Sequence, residues 1–223
     1  ASINYAFSYT LSSFHNTGYL TYISTPYSQP EIRLQSVRQN KKITIPSFKN
    51  YIDYTNKIDA KSTLSIAMQY YFQHSKQTTE SDIDNVTYYS RNKILNEPGL
   101  NEFSAQVNYR KTINQEKNYS LGAKWINRFN KSAYSLDTFD YGMSKFLRVQ
   151  DIVYSNNFSG TQNIFSLYGN TSFPITKKIS GEAGLRIEHT SDNINFSYVA
   201  TVKRNYWQVI PNATVYYSLD DDT

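Results

Sequence analysis

The chain has 223 residues, including 21 tyrosines and 12 phenylalanines, with a net charge of +5 and no cysteine. Without cysteine, disulfides, thiolate metal sites and cysteine nucleophiles are excluded, and the dispersed lysines and arginines argue against a nucleic-acid-binding surface. The mean hydropathy of −0.60 is low for a soluble core, yet aromatic and β-branched residues are too abundant for a disordered chain. The composition favours a β-protein, and no apolar run is long enough for a transmembrane helix.

Alternation of apolar and polar residues predicts strands from the first residues onward. In the N-terminal part, strands are expected near 2–11, 18–36 and 42–55, with a turn at Phe14–Thr17 and a loop at Gln39–Lys41. Further along the chain the alternation is clearest in residues 63–72, 118–130, 179–190 and 209–219. These runs reach the roughly 9–11 residues that a tilted membrane-spanning strand needs.

The connections between the strands fall into two classes. Short polar turns are predicted at Asn56–Lys61, Thr112–Lys117, Pro174–Lys178 and Asp220–Thr223, and longer irregular stretches at about 75–99, 131–157 and 191–204. Short turns at one rim and long loops at the other are typical of outer-membrane barrels, with the short turns on the periplasmic side. The chain is therefore predicted to be all-β, an antiparallel meander of about 9–10 long strands that forms part of a transmembrane β-barrel. No domain boundary is evident, so residues 1–223 are expected to be a single segment.

Four stretches of the sequence carry a specific resemblance to a known family. They are Ser120–Trp125 (SLGAKW), Asn163–Gly169 (NIFSLYG), Gly181–Thr190 (GEAGLRIEHT) and Tyr206–Tyr217 (YWQVIPNATVYY). In this order they resemble barrel strands of TonB-dependent outer-membrane receptors of the outer membrane protein β-barrel family. Tyr51–Tyr71 resembles the family more loosely. The resemblance implies a non-catalytic role in energy-coupled nutrient uptake at the bacterial outer membrane, without a cofactor.

Such receptors close a barrel of about 22 strands around a separate plug domain. Because the predicted strands are far fewer, we expect a partial barrel wall without the plug, the energy-coupling segment or the closing strand. The resemblance then implies contact with outer-membrane lipid, and contact with a plug domain and an energy-coupling protein only through the parent chain. Two unpaired edge strands are expected to favour self-association.

Charged residues on one face of the predicted strands are candidates for a site that faces the barrel lumen. They are Lys124, Arg128, Glu182, Arg186 and Glu188. Charge is far less costly in a lumen than against lipid, and the residues that alternate with them are apolar. A structural ladder of cross-strand ion pairs is favoured over a substrate path or a plug contact.

Aromatic residues in the longer loops are candidates for stacking on a sugar or another flat ligand. They are Tyr88, Tyr89, Phe139 and Tyr141. Packing within the loops, or a place in the aromatic girdle at the membrane interface, is the more common role of such residues. Trp125, Phe173 and Trp207 lie where girdle residues are expected.

Two other functions stay open. A soluble β-sandwich that binds carbohydrate would use the aromatic faces of the strands, and a small outer-membrane barrel enzyme would need acidic and histidine residues at one rim. His74, Asp82 and Asp84 lie near one predicted loop, whereas His15 and His189 lie far from it in the sequence. The spacing of the histidines predicts no metal site, and we expect no enzymatic activity.

Overall fold

The computed structural model describes residues 1–24, 33–85, 88–114, 117–150 and 155–218. These residues form ten β-strands in one antiparallel sheet. The strands are β1 (Ser2–Ser24), β2 (Arg33–Lys57), β3 (Ser62–His74), β4 (Lys76–Asn85), β5 (Tyr88–Thr112), β6 (Asn118–Asp140), β7 (Lys145–Arg148), β8 (Ser155–Pro174), β9 (Ile179–Phe196) and β10 (Val202–Tyr217). The described part of the chain has no helix that is long and apolar enough to cross a membrane.

Neighbouring strands in the sheet follow one another in the chain, in the order β1-β2-β3-β5-β6-β8-β9-β10. β4 continues β3 between the same two neighbours and in the same register, and β7 pairs with β6. Ser75 separates β3 from β4 because it lies opposite Pro98. The Ser75 N–H donates to the Pro98 carbonyl at 2.8 Å, but proline has no N–H to return the bond. β3 and β4 therefore form one long strand with a missing hydrogen bond.

The hairpins are longer than the sequence predicted. β1 and β2 pair without interruption through Phe14–Thr17 and Gln39–Lys41, so the predicted turn and loop are wrong. The predicted irregular stretches are also largely strand, namely β4 and the start of β5 in 75–99, the end of β6 with β7 in 131–157, and the end of β9 in 191–204. Alternation is hidden in these stretches because both faces of the sheet carry polar residues. The single strand expected at 18–36 is wrong, because residues 18–24 of β1 pair antiparallel with residues 33–39 of β2. Residues 25–32, and the turn expected at Asp220–Thr223, lie outside the described residues.

The three short turns that connect β2 to β3, β5 to β6 and β8 to β9 are confirmed. Each begins at an isoleucine, Ile58, Ile113 or Ile175, whose N–H donates to the carbonyl four residues further on at 2.8 to 2.9 Å. The next side chain caps the turn, as in the first turn, where Asp59 accepts the Lys61 N–H at 2.6 Å. This hydrogen bond and those from Ser62 hold the pKa of Asp59 below its usual range.

One face of the sheet carries a continuous apolar band beside these turns. Alternate residues on this face are mainly apolar in the segments Ile3–Leu11, Pro46–Tyr54, Leu64–Phe72, Phe103–Tyr109, Tyr119–Trp125, Phe165–Phe173, Ile179–Ile187 and Trp207–Tyr217, which the strand register aligns. A run of nine residues measures about 30 Å along a strand, or about 23 Å across a membrane at a tilt of about 40°. This height agrees with the apolar belt of about 25 Å on outer-membrane barrels.

No described residue covers the apolar band. Leu121, Leu167 and Val209 expose 57%, 53% and 63% of their surface, whereas Val37 is the one buried hydrophobic residue in the described part of the chain. All extensive contacts between described strands are between hydrogen-bonded neighbours in the same sheet. The described residues therefore form no sandwich, and the alternative of a soluble β-sandwich does not fit them.

Candidate functional site on the polar face of the sheet

The face opposite the apolar band is polar, and it carries all five charged residues that were predicted to face a lumen. Lys124 and Arg128 lie on β6, and Glu182, Arg186 and Glu188 lie on β9. Their neighbours Trp125 and Ile187 point to the apolar band, because successive side chains in a strand point to opposite faces. The register distributes the five residues over several rungs of the sheet.

Arg128 lies at the centre of a polar ladder that crosses four strands. Its Nε donates to Oε2 of Glu102 on β5 at 2.7 Å, and its Nη1 donates to Oε1 of Gln162 on β8 at 2.8 Å. Gln162 Nε2 in turn donates to Oδ1 of Asp192 on β9 at 3.0 Å. The ladder joins four neighbouring strands through side chains as well as through the backbone, which stiffens the sheet.

Arg186 and Glu188 form a second charged pair, within β9. Arg186 Nη2 lies 2.6 Å from Glu188 Oε2 and donates to the Ser166 hydroxyl of β8 at 2.9 Å. Ser166 is 1% exposed and donates to the same Glu188 oxygen at 3.2 Å. Glu182 does not join this pair, since it accepts hydrogen bonds from Ser172 at 3.1 Å and Tyr216 at 3.2 Å.

Tyr168 connects three strands on the same face, and sequence reasoning did not identify it. The side chain extends from β8 across Gly122 of β6 to β5. There its hydroxyl donates a hydrogen bond to Oδ1 of Asn108 and accepts one from the Gln106 side-chain amide at 2.9 Å. A Cβ on Gly122 would lie 2.5 Å from the ring, so the contact depends on glycine at this position. A glycine within a strand was the available signal, but the sequence does not give the register that places it under Tyr168.

Lys124 lies between two shallow grooves on the polar face. One groove, of about 370 Å³, is lined by residues that include Gln106, Tyr168 and Arg186. The other, of about 340 Å³, is lined by residues that include Asp53. Within the described residues, Lys124 makes no hydrogen bond or ion pair. The face thus offers ammonium, guanidinium, amide and phenol groups to a polar ligand.

Three of the four aromatic residues that were predicted to contact a flat ligand meet at the end of the sheet far from the short turns. The ring centroid of Tyr141 lies 5.8 Å from that of Tyr89 and 5.0 Å from that of Phe139, and Phe146 lies 5.2 Å from Phe139. The side chain of Tyr88 lies outside the described residues. Packing of the rings against one another accounts for their positions, and a ligand contact stays a prediction.

Charged residues surround this aromatic cluster. The Arg91 guanidinium lies 5.8 Å from the Phe139 ring centroid and 5.6 Å from that of Phe146. It also lies 3.4 Å from Asp82 and 3.6 Å from Glu80. Cation–π contacts and ion pairs therefore hold together a part of the sheet that is polar on both faces.

The three histidines do not converge with acidic residues. His15, His74 and His189 all lie on the face of the apolar band, at its edge far from the short turns. His189 packs on Trp207, with ring centroids 4.7 Å apart. His74 and Asp82 are eight residues apart along the continuous β3–β4 strand, which is about 26 Å. The acid–histidine grouping that a small barrel enzyme would need is not formed by these residues, and the described residues contain no cluster of three potential metal ligands among histidine, cysteine and acidic residues.

A family model described as "Outer membrane protein beta-barrel family" matches residues 56–223, which is most of the chain. The chain belongs to this family. Membership agrees with the antiparallel meander and the exposed apolar band, and it places the protein in the outer membrane. The search of curated proteins gave no match.

Several solved structures have a similar fold. They include the ferric yersiniabactin uptake receptor FyuA from Yersinia pestis, the siderophore receptor PiuA from Acinetobacter baumannii and the alcaligin outer membrane receptor FauA from Bordetella pertussis. Sequence identities are 12%, 10% and 10%, and TM-scores are 0.48, 0.47 and 0.38. The matches cover 99%, 98% and 98% of this chain but 44%, 45% and 42% of those chains. The chain thus spans less than half the length of these receptors.

Proposed function

We propose that this chain is a barrel-wall segment of an energy-coupled outer-membrane receptor of the TonB-dependent kind, which takes up a nutrient and catalyses no reaction. The observation that carries the proposal is the difference between the two faces of the sheet. One face has an uncovered apolar band of membrane thickness, and the other has a hydrogen-bonded network of charged and amide side chains. In an outer-membrane barrel these faces meet lipid and lumen respectively.

The polar face suits the lumen of a receptor that holds a plug or passes a polar solute. Arg128 and Arg186 are already engaged by Glu102 and Glu188, so these pairs fix the wall. Lys124 and the amides of the two grooves are open to another molecule. Among the five predicted lumen residues, Lys124 is therefore the one we assign to contact with the plug or the substrate.

The length of the strands also supports a receptor. β2 has 25 residues, and its apolar segment covers only the nine residues next to the short turn. About a dozen further residues then extend roughly 30 Å beyond the membrane belt. The neighbouring strands extend equally far, and β4 to β7 carry the aromatic and charged cluster around Phe139 there. The wall itself thus presents side chains well outside the proposed membrane belt, where a receptor first meets its ligand.

Cysteine labelling tests the orientation of the segment, because residues 1–223 contain no cysteine. Labelling of the full-length protein without an introduced cysteine gives the background. Ala60→Cys introduces a thiol in a short turn and Tyr198→Cys introduces one at the opposite end, and both positions are exposed. In intact cells that express the full-length protein, a membrane-impermeant maleimide should label Tyr198→Cys, whereas Ala60→Cys should react only after the outer membrane is disrupted. Equal labelling of both variants in intact cells would contradict a membrane-spanning wall.

Energy coupling needs a second experiment. Cells that carry or lack the gene are supplied with a panel of radiolabelled ferric siderophores and other nutrients, with and without a protonophore. We expect gene-dependent uptake of one class and its loss when the proton gradient collapses. Gene-dependent uptake that persists without the gradient would indicate a passive channel and would contradict the coupled receptor.

A further inference from the structure

The three short turns repeat the same two features. Each begins with an exposed isoleucine, and Ile58, Ile113 and Ile175 expose 57%, 42% and 53% of their surface. Each also carries lysine, namely Lys61 in the first turn, Lys117 in the second, and the pair Lys177 and Lys178 in the third. We refer to the three isoleucines and four lysines as the turn rim. An exposed isoleucine and at least one lysine thus recur in three turns that share the same backbone hydrogen bond.

The isoleucines of the turn rim lie just beyond the apolar band. Ile175 follows Phe173 directly on the apolar face, whereas Asn56 and Lys111 stand between the other two isoleucines and the last apolar residues of their strands. Each has the parity of the apolar face in the strand that it follows. The side chain of Ile175 shows the direction, since its Cδ1 would lie 3.2 Å from a Cβ on Gly181, which stands opposite Phe173 on the apolar face. An exposed apolar side chain at the end of a lipid-facing column is suited to the boundary between acyl chains and headgroups.

The short-turn end of the sheet, which includes the turn rim, is also positively charged. Residues 57–61, 111–117 and 177–178 contain six lysines and two acidic residues, Asp59 and Glu116. No ion pair between described residues includes Lys57, Lys61, Lys111, Lys117 or Lys177.

Some cations at the opposite end of the sheet are paired with carboxylates. Lys76 lies 3.6 Å from Glu97, and Lys93 lies 3.5 Å from Glu80. Arg148 pairs with Asp137. Other far-end lysines, including Lys42, Lys131 and Lys203, are exposed and form no ion pair between described residues, so the recurrence of lysine beside isoleucine, and not positive charge alone, distinguishes the turn rim.

We propose that the turn rim binds the phosphates of anionic phospholipids in the leaflet that surrounds the short turns. The inference rests on the proposed function, because it requires the apolar band to lie in lipid. Lipid is favoured over an acidic protein because the lysines lie immediately beyond an apolar belt, and each shares its turn with an isoleucine on the lipid-facing side. A lysine at this depth extends its ammonium group to the headgroups while its methylenes stay against apolar surface.

Native mass spectrometry tests the proposal. The full-length protein is equilibrated in detergent micelles with equal amounts of phosphatidylglycerol and phosphatidylethanolamine, and the retained lipids are counted. The wild type should retain phosphatidylglycerol preferentially. A lysine near an anionic surface contributes about fivefold in binding, so K61Q/K117Q/K177Q should lower this preference at least about tenfold. In I58S/I113S/I175S, which keeps every lysine, retention of both lipids should fall together.

The matched control removes three lysines from the other side of the membrane belt. Lys42, Lys131 and Lys203 are exposed and share the apolar face, but they lie beyond the far edge of the band. K42Q/K131Q/K203Q has the same net charge as the rim variant and should retain the wild-type preference. An equal loss of the phosphatidylglycerol preference in both variants would show that only net charge matters and would overturn the proposal. An unchanged preference in K61Q/K117Q/K177Q would also overturn it.

A separate measurement distinguishes failure of this inference from failure of the barrel-wall proposal. Trp125 and Trp207 both lie on the apolar face, so lipids with brominated acyl chains should quench fluorescence that is lost in the W125F/W207F variant. Quenching without a preference for phosphatidylglycerol would overturn the headgroup site alone. Absence of quenching would overturn the lipid-facing assignment and the headgroup site together.

Discussion

Replacing Met68 with arginine places a charge in the middle of the apolar band and tests which face of the sheet meets lipid. Met68 is 45% exposed on β3, and its cross-strand neighbours on either side are Ile52 and Ala105. Gln69 is the next residue, and its side chain points to the polar face and lines one of the grooves. Met68→Arg and Gln69→Arg thus introduce the same side chain one residue apart, on opposite faces.

The position of Met68 sets the expected magnitude. The apolar segment of β3 runs from residue 64 to residue 72, so Met68 lies about 12 Å from either edge of the belt. Arginine at the midplane of the lipid face of a barrel costs about 2–4 kcal/mol, and this cost falls to about 0–1 kcal/mol near the interfaces. Met68→Arg should therefore lower the free energy of unfolding by about 2–4 kcal/mol. Gln69→Arg should change it by less than about 1 kcal/mol, since its charge stays in the lumen.

Equilibrium unfolding of the full-length protein in phospholipid vesicles, followed by tryptophan fluorescence against denaturant concentration, gives both free energies. Leu64→Arg adds a test of depth, because it lies at the edge of the same apolar segment and should cost less than Met68→Arg. The reasoning is refuted if Gln69→Arg is as destabilising as Met68→Arg, or if the cost does not depend on depth.

Three further predictions concern the polar face and the turns. Gly122→Ala would put a methyl group 2.5 Å from the Tyr168 ring and displace it. The free energy of unfolding, measured by chemical denaturation, should fall by about 1–3 kcal/mol. Tyr168→Phe should lower it by less, because it removes only the hydrogen bonds of the hydroxyl. Arg128→Met leaves Glu102 without its partner and should lower the free energy of unfolding by about 1–3 kcal/mol. Adding Glu102→Gln should restore part of this loss, and a double-mutant cycle measures the restored part. The pKa of Asp59 is lowered in the folded turn, so its stabilising contribution is present at neutral pH and is lost as the pH falls below 3.8. The unfolding midpoint of Asp59→Asn, which keeps a capping oxygen, should depend less on pH over this range than that of the wild type.

The sequence was most informative inside the membrane belt. There, alternate positions must be apolar on the lipid face, while the lumen face accepts polar and charged residues, so the period-2 signal is strong. Residues 63–72 and 179–190 were accordingly predicted as strands, and the three short turns were predicted within one or two residues. The same alternation correctly predicted that Lys124, Arg128 and Arg186 lie on the polar face of the sheet.

Beyond the belt the same signal disappears. Residues 76–85 are almost entirely polar, and they read as a loop although they pair on both sides. Partners on the polar face could not be predicted for a related reason. Alternation fixes the face of a residue but not its register, so the contacts of Arg128 with Glu102 and of Tyr168 with Asn108 depend on pairings that are 26 and 60 residues apart in sequence.

The two halves of the sheet are stabilised by different means, and the position of the charged pairs follows from this division. Inside the belt, one face is apolar and uncovered, and the charged pairs formed by Arg128 and Arg186 lie on the opposite, polar face. Outside the belt, water reaches both faces and apolar burial contributes little. There the face that would otherwise meet lipid carries the pairs of Lys93 with Glu80 and of Arg91 with Asp82. The far edge of the apolar band therefore marks where charged pairs occur on both faces, and under the proposed function this edge is the boundary of the membrane.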